Sequence, residues 1–172
     1  IGVLDGAVVV LSSVEGVQPQ TEVYFNALKE LNTPLIFFIN KLDRIGASPY
    51  KTIKDMKKLL TNKLIPLQLV YEKNNEFIVK NIFDQIDCQK NILEIKDESS
   101  IQLLEDIMDV LGTNNEEILN KFFDETLTLG KIKSEIALQA NRGKIYPVLY
   151  GIALRGEGIK DLLCAKIGRA HV

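Results

Sequence analysis

The stretch Pro34-Leu35-Ile36-Phe37-Phe38-Ile39-Asn40-Lys41-Leu42-Asp43 decides the fold of this chain of 172 residues. Its five consecutive apolar residues, rich in branched and aromatic side chains, predict a strand buried on both faces of a parallel sheet. The apolar run stops at Asn40, so three polar side chains follow at the carboxyl end of the strand. Because open α/β sheets bind their ligands at that end, we expect a binding site here.

The four residues Asn40-Lys41-Leu42-Asp43 resemble the guanine-specificity box, Asn-Lys-x-Asp, of P-loop GTPases. Guanine presents two neighbouring N–H donors, and an ionised carboxylate accepts both in charge-assisted hydrogen bonds. Adenine presents the opposite pattern and would leave Asp43 desolvated without a partner. The resemblance implies that Asp43 reads the base edge, that the aliphatic part of Lys41 covers a base face, and that Asn40 ties this loop to the phosphate loop. An ordinary polar turn after a strand is the alternative interpretation.

The composition, 46% hydrophobic and 26% charged with a net charge of −2, is that of a globular domain. The charge gives no general attraction to nucleic acid, so we expect no DNA partner, and any RNA contact would have to be local. No apolar run approaches the length of a membrane span and no signal peptide is evident, which predicts no membrane contact and a cytoplasmic location. Cys88 and Cys164 lack metal-ligand spacing, and we expect buried thiols rather than a disulfide.

A second apolar run, Ala7-Val8-Val9-Val10-Leu11, predicts a second buried parallel strand. Pro19 suits the first turn of a helix between the two strands. This helix is predicted to bury one apolar face, formed by Val23, Tyr24, Ala27, Leu28 and Leu31. Strand, helix and strand joined by short loops form a βαβ unit with a right-handed crossover.

Another helix is predicted after Ser48-Pro49, where an N-cap residue precedes a proline at the first helical position. Its outer face carries a stripe of lysines: Lys51, Lys54, Lys57 and Lys58. Such a stripe can contact RNA, but on a helix it is more often a solvated face, and the sequence favours the solvated face.

From residue 64 to 143 the pattern changes and predicts an inserted small α+β subdomain. Alternating apolar residues on either side of Asn74-Asn75 indicate a hairpin. Three helices are predicted to follow: one capped by Ser100 and ending at Gly112, one capped by Thr113 or Asn114, and a weaker one from about Lys133 to Asn141. Tyr146-Pro147-Val148-Leu149-Tyr150 then predicts a last strand.

The order of these motifs resembles the second half of the G domain of a translational GTPase. Three stretches match the elongation factor G superfamily: Val3-Leu4-Asp5-Gly6-Ala7, Gly16-Val17-Gln18-Pro19-Gln20-Thr21 and Asn40-Lys41-Leu42-Asp43-Arg44. Within it, Ala27-Leu28 before Asn32-Thr33-Pro34, and Leu119-Asn120-Lys121-Phe122, resemble the tetracycline-resistance ribosomal protection proteins. The implied fold class is α/β, the doubly wound and mostly parallel sheet of a P-loop GTPase.

The resemblance predicts four segments. Residues 1–63 would form the C-terminal part of the G-domain core, residues 64–143 the insertion, and residues 144–165 the last core strand and the start of the last helix. The ending Ile167-Gly168-Arg169-Ala170-His171-Val172 resembles a translated sequencing adapter, so we expect residues 166–172 to be a non-native tail and His171 to have no catalytic role.

By resemblance, a second guanine-contacting box falls at Ile152-Ala153-Leu154. The family has serine where this chain has Ile152, which removes a supporting side-chain hydrogen bond, while the Ala153 N–H can still donate to guanine O6. We therefore expect a weakened rather than a lost site. The predicted GTP-binding residues are Asn40, Lys41, Asp43, Ile152, Ala153 and Leu154, and no metal ligand is predicted.

The phosphate loop and both switches of the family would lie before Ile1, so we expect GTP hydrolysis and Mg²⁺ binding only in a full-length parent, and no catalytic residue in this fragment. The resemblance implies a monomeric GTPase whose partner is the ribosome. In resistance proteins the GTP cycle dislodges tetracycline, and in elongation factor G it moves tRNA and mRNA. The alternatives are a GTPase of ribosome assembly or RNA modification, and a non-catalytic nucleotide-binding module of flavodoxin type.

Overall fold

The computed structural model of the chain describes residues 5–74, 76–83 and 97–167. The strands are β1 (Ala7–Ser12), β2 (Leu35–Asn40), β3 (Leu64–Pro66), β4 (Gln68–Lys73), β5 (Glu76–Asn81) and β6 (Tyr146–Tyr150). The helices are α1 (Pro19–Glu30), α2 (Pro49–Leu59), α3 (Glu98–Gly112), α4 (Glu116–Phe123), α5 (Leu129–Asn141) and α6 (Ile159–Ile167), with a 3₁₀ turn at Ala153–Arg155.

The main sheet contains four parallel strands in the order β1-β2-β6-β3. Val9 pairs with Phe37 and Phe37 with Val148, so the three apolar runs of the sequence lie side by side, as predicted. The insertion boundary at residue 64 was wrong, because Leu64 pairs with Tyr146 and β3 is part of this sheet. A three-residue strand that ends in proline gives too short an apolar run to be recognised as sheet core.

The sheet is covered on both faces, because alternate residues of β2 point in opposite directions. Phe37 shares one cluster with Phe25 of α1 and Met56 of α2. Phe38 belongs to the opposite face, where Ile159 of α6 packs. The predicted α/β, mostly parallel architecture is therefore confirmed.

Helix α1 buries a different face from the one predicted. Phe25 is 1% exposed and packs edge-on against Tyr146, with the ring centroids 5.2 Å apart. Val23 and Tyr24, which were predicted to be inward, are 65% and 60% exposed. Apolar residues surround most of this helix, so periodicity alone does not identify the buried side.

The predicted hairpin is present: β4 and β5 form a two-stranded antiparallel sheet in which Val70 pairs with Val79. Its base is anchored to the core, since the Gln68 Nε2 donates to Asp161 Oδ2 of α6 at 2.5 Å and the Tyr150 N–H donates to Gln68 Oε1 at 2.7 Å. Tyr50 of α2 also donates its hydroxyl to the Val70 carbonyl at 2.6 Å. The hairpin is thus held in a fixed position beside the carboxyl edge of the main sheet.

Helices α3, α4 and α5 share a separate apolar cluster with Ile65 and Ile82. Their first residues differ from the predictions. The side chain of Asp97, not Ser100, caps α3, and Asn115 caps α4. Helix α5 begins at Leu129 rather than at Lys133, with Thr128 as its cap.

Within residues 5–74, 76–83 and 97–167, no helix combines the length and apolar character that crossing a bilayer requires. Cys164 is a free and exposed thiol, so the prediction that it is buried was wrong. Cys88, His171 and residues 168–172 of the predicted tail lie outside the described residues.

Candidate functional site

Strands β1 and β2 end at the same level of the sheet, and the loops that follow them lie together. Ser12 is in register with Asn40, and the Ser13 N–H donates to the Asn40 carbonyl at 2.8 Å. The polar residues that follow each apolar run are therefore brought to one place, the carboxyl edge, as the sequence predicts.

The Asn40 side chain joins two loops that are distant in sequence. Its Oδ1 accepts a hydrogen bond from the Ala153 N–H at 2.9 Å, across 113 residues. The predicted boxes after β2 and β6 are therefore in direct contact. The sequence analysis did not predict this bond, through which Asn40 holds the 152–154 loop and pairs the Ala153 N–H. The predicted contact of Asn40 with the phosphate loop stays a prediction.

Lys41 has a backbone conformation that is uncommon for a residue with a side chain. Its φ of 66° lies in the left-handed region, which marks local strain of the kind that collects at functional sites. The Lys41 Nζ lies 3.3 Å from Glu15 Oε1, in the loop after β1. Glu15 thus fixes the direction of the Lys41 side chain along the edge of the sheet.

Asp43 is half-buried and available to a ligand. In the part of the chain that the structure describes, its carboxylate makes neither a hydrogen bond nor an ion pair. Asp43 lines a cavity of about 700 Å³, which lies between the 42–47 loop, the hairpin and the loop after β6. Of the six predicted site residues, Asp43 and Ile152 line this cavity and the other four do not.

The loop after β6 is tightly packed. A Cβ on Gly151 would lie 2.4 Å from the Glu157 carbonyl oxygen and 2.7 Å from the Phe38 ring, so only glycine fits. Two backbone hydrogen bonds between Ile152 and Glu157 close the loop, at 3.1 and 3.2 Å. The loop is therefore a rigid edge of the site.

The side chains of the 152–154 box point to different environments. Ile152 is 5% exposed and belongs to the core cluster, so its side chain supports the loop rather than facing solvent. Leu154 is 83% exposed, an unusual environment for leucine. Of the predicted set, the structure brings Asn40 and Ala153 into contact and leaves Asp43 and Leu154 accessible.

Among the described residues, no three carboxylate, histidine or cysteine side chains are grouped closely enough to hold a metal ion. We assign no residue of the chain to the Mg²⁺ that the family resemblance implies.

Sequence reasoning missed Glu15 and the requirement for Gly151. Glu15 lies 26 residues before Lys41, and no local pattern signals that the two side chains pair. Gly151 directly precedes the predicted 152–154 box, but its close approach to Phe38 becomes visible only when the strands are aligned.

The fold and the paired loops at its carboxyl edge are those of a nucleotide-binding α/β domain. A family model, the elongation factor Tu GTP-binding domain, matches residues 1–170, and the chain belongs to this family of translation-factor GTPases. The resemblance drawn from the sequence motifs is thereby confirmed.

Two tetracycline resistance proteins are similar to the chain. The tetracycline resistance protein TetP of Clostridium perfringens is 38% identical over 161 residues, covering 93% of this chain and 22% of TetP. The oxytetracycline resistance protein of Streptomyces rimosus is 32% identical over 165 residues, covering 95% of this chain and 23% of that protein. The chain thus spans less than a quarter of the length of these curated relatives.

The same fold occurs in a crystal structure of a protein from Thermus thermophilus. It superposes with a TM-score of 0.75 over 98% of this chain and 27% of that one, at 21% identity. At this identity the likeness concerns the fold alone.

Proposed function

We propose that the chain recognises the guanine base of GTP within a ribosome-dependent translational GTPase. The observation that carries this proposal is the 2.9 Å hydrogen bond between Asn40 and Ala153, beside the carboxylate of Asp43, which has no partner among the described residues. The bond holds the Asn40–Asp43 turn against a second loop 113 residues away, which supports a site shared by the two loops.

In this proposal Asp43 accepts hydrogen bonds from N1–H and N2–H of guanine. The aliphatic part of Lys41, oriented by Glu15, covers one face of the base, and the exposed Leu154 covers the other. The first N–H groups of a helical turn have no carbonyl partner within it. Since the Ala153 N–H is paired with Asn40, we assign the contact with guanine O6 mainly to the N–H of Leu154. Ile152 acts through packing, by holding this turn in place.

We assign base recognition to these residues and no catalytic role to any residue of the chain. The longer protein, we propose, hydrolyses GTP on the ribosome and confers resistance to tetracycline. The names of the two relatives support this role over that of a translocase of the elongation factor G type.

The test is the substitution Asp43→Asn in the full-length protein. The variant loses an acceptor and places an amide donor against the donors of guanine. Hydrogen bonds to charged groups contribute about 1.5–3 kcal/mol each. We therefore expect GTP affinity to fall at least about a hundredfold. Xanthine carries a carbonyl in place of the guanine amino group, so the variant should prefer XTP.

The measurement is competition between GTP and XTP for binding and for ribosome-stimulated turnover. The matched control is Glu72→Gln, which removes a carboxylate that lines the same cavity and should keep the preference for GTP. An Asp43→Asn variant that still prefers GTP would show that Asp43 does not read the base.

A further inference from the structure

Helix α2 carries a concentration of positive charge that the guanine site does not use. Between residues 51 and 63 there are five lysines and one carboxylate, although the whole chain has a net charge of −2. All four lysines of the helix are exposed: Lys51, Lys54, Lys57 and Lys58. They lie opposite the buried Thr52 and Met56, since successive residues are rotated by about 100°.

These lysines have no intramolecular partner in the described ranges, where none of them makes an ion pair or a side-chain hydrogen bond. Asp55 is the only acid of the helix; its Oδ2 lies near Gly16 and makes no ion pair with a lysine of the stripe. No acid among the described residues therefore neutralises the stripe by direct pairing.

Helix stability accounts for only part of this arrangement, because Lys57 and Lys58 are in the last turn, where the helix dipole favours cations. Lys51 is in the first turn, where no acid is present and where the helix dipole disfavours a cation. Lys54 is three residues from Lys51 and four from Lys58, and like charges at these spacings repel. Helix stability therefore does not account for Lys51 and Lys54, which is consistent with a role outside the domain.

We propose that the lysine stripe of α2 binds the sugar-phosphate backbone of structured RNA. Lys51 and Lys58 are separated by about 10 Å along the helix, a distance that spans neighbouring phosphates of one strand. Lysine is a point charge that suits phosphate oxygens without demanding a fixed geometry. Such contacts would set the orientation of the domain on the RNA without reading its sequence. Only the identification of this RNA as ribosomal rests on the proposed function.

The experiment compares two full-length variants with equal changes in net charge. One is K51Q/K54Q/K57Q/K58Q, and the other is the control K73Q/K131Q/K144Q/K160Q, which neutralises four exposed lysines elsewhere. Affinities for protein-free ribosomal RNA and for intact ribosomes are measured at several salt concentrations. Removing one lysine–phosphate interaction should lower the slope of log affinity against log salt by about 0.7–0.9. We expect the stripe variant to lose at least tenfold in affinity for both at low salt, with a slope smaller by about three, and the control to change less than threefold.

The same variants are tested for thermal stability and for GTP over XTP preference. The stripe variant should keep its nucleotide preference and melt close to wild type, because the repulsion removed around Lys54 offsets the favourable last-turn charges lost at Lys57 and Lys58. Equal RNA binding by the two variants would overturn the inference. It would also be overturned if the stripe variant bound ribosomes more weakly but protein-free RNA as well as wild type does, because that result would indicate a protein partner. If wild type binds protein-free RNA through the stripe but does not bind ribosomes, the proposed function fails and this inference stands.

Discussion

At the scale of single residues, the site depends on a strained backbone held by side chains. Lys41 occupies the left-handed region, and its ammonium group is 3.3 Å from the Glu15 carboxylate. The N–H of Glu15 is itself 3.3 Å from Ser12 Oγ, and the Gln18 side chain donates to the Glu15 carbonyl at 2.9 Å. The loop after β1 therefore positions the residue that we place over the base.

We predict that Glu15→Gln weakens GTP binding only modestly. Both partners of the pair are about half exposed, and exposed ion pairs contribute about 0.2–1 kcal/mol. The expected loss of affinity is two- to fivefold, with the preference for GTP over XTP unchanged, measured by nucleotide titration. Glu30→Gln, at the exposed end of α1, is the control and should leave affinity as in wild type. A loss above a hundredfold would mean that Glu15 contacts the nucleotide itself.

The second prediction at this scale concerns Gly151. In Gly151→Ala the methyl group would meet the Glu157 carbonyl oxygen and the Phe38 ring, neither of which can move without disturbing the core. Overpacking of this kind costs about 1–3 kcal/mol. The shift of the 152–154 turn should also break the bond between Ala153 and Asn40 and weaken GTP binding.

The measurement is denaturant unfolding together with nucleotide titration. Gly112→Ala is the control, because its methyl group meets only the flexible side chain of Leu119 and alanine favours the helix. If Gly151→Ala unfolds at the same denaturant concentration as wild type, the close packing of this loop is not a constraint.

At the scale of elements, the sequence predicts the strands that are formed by continuous or alternating apolar residues. Strands β1, β2 and β6 and the convergence of their loops were predicted because an unbroken apolar run is buried on both faces wherever it lies in the sheet. The hairpin was predicted from strict alternation. In each case the signal is local to the element.

The buried face of α1, strand β3 and the contact between the two loops could not be predicted, because each depends on residues that are close in space but distant in sequence. Val23 and Phe25 of α1 are both apolar, but they lie on different sides of the helix. Phe25 is the buried one because it packs against the rings of Phe37 and Tyr146. Strand β3 is a strand because Leu64 pairs with Tyr146 of β6, which is distant in sequence. The bond between Asn40 and Ala153 likewise joins loops whose distance is set by the order of the strands.

The start of α3 leads to a prediction of pH dependence. Hydrogen bonds from the hydroxyl and the backbone N–H of Ser100 lower the pKa of the Asp97 carboxyl below its usual value. The carboxyl thus has a lower pKa in the folded state than in the unfolded state. It stabilises the fold fully at a pH above the unfolded-state pKa, and this stabilisation is lost as the pH falls through the folded-state pKa. Asp97 therefore contributes to the acid sensitivity of the α3–α5 region.

We expect Asp97→Asn to melt close to wild type at pH 7, since asparagine is also a good cap, and to lose less stability than wild type between about pH 5 and pH 3. Thermal melts across this range measure the effect. Glu98→Gln, in the first turn of the same helix, is the control and should keep the wild-type acid profile. Parallel profiles for wild type and Asp97→Asn would contradict the capping role.

At the scale of the whole molecule, the surface is divided by charge and by polarity. Nine carboxylates and a single lysine lie between residues 97 and 125, whereas α2 is basic. A third region, around β1 and α1, is apolar. Strand β1 lies at one edge of the described sheet, and Val10 on it is 59% exposed. Tyr24 of α1, which is 60% exposed, lines the same groove as Val10.

An exposed strand edge flanked by apolar side chains is a template for pairing with another chain. We therefore predict that the 172-residue chain, studied by itself, associates with itself in a concentration-dependent manner through β1. Val10→Lys places a charge on this edge, which should disfavour a second strand there while leaving the buried pairing with β2 intact. Sedimentation velocity over a range of concentrations should show larger species for wild type and a shift towards monomer for Val10→Lys. Leu163→Lys, which changes an exposed apolar residue of α6 and adds the same charge, is the control and should associate like wild type. If both lysine variants suppress association equally, net charge rather than the β1 edge governs self-association. If the wild-type chain remains monomeric at every concentration, the β1 edge does not pair with a second chain.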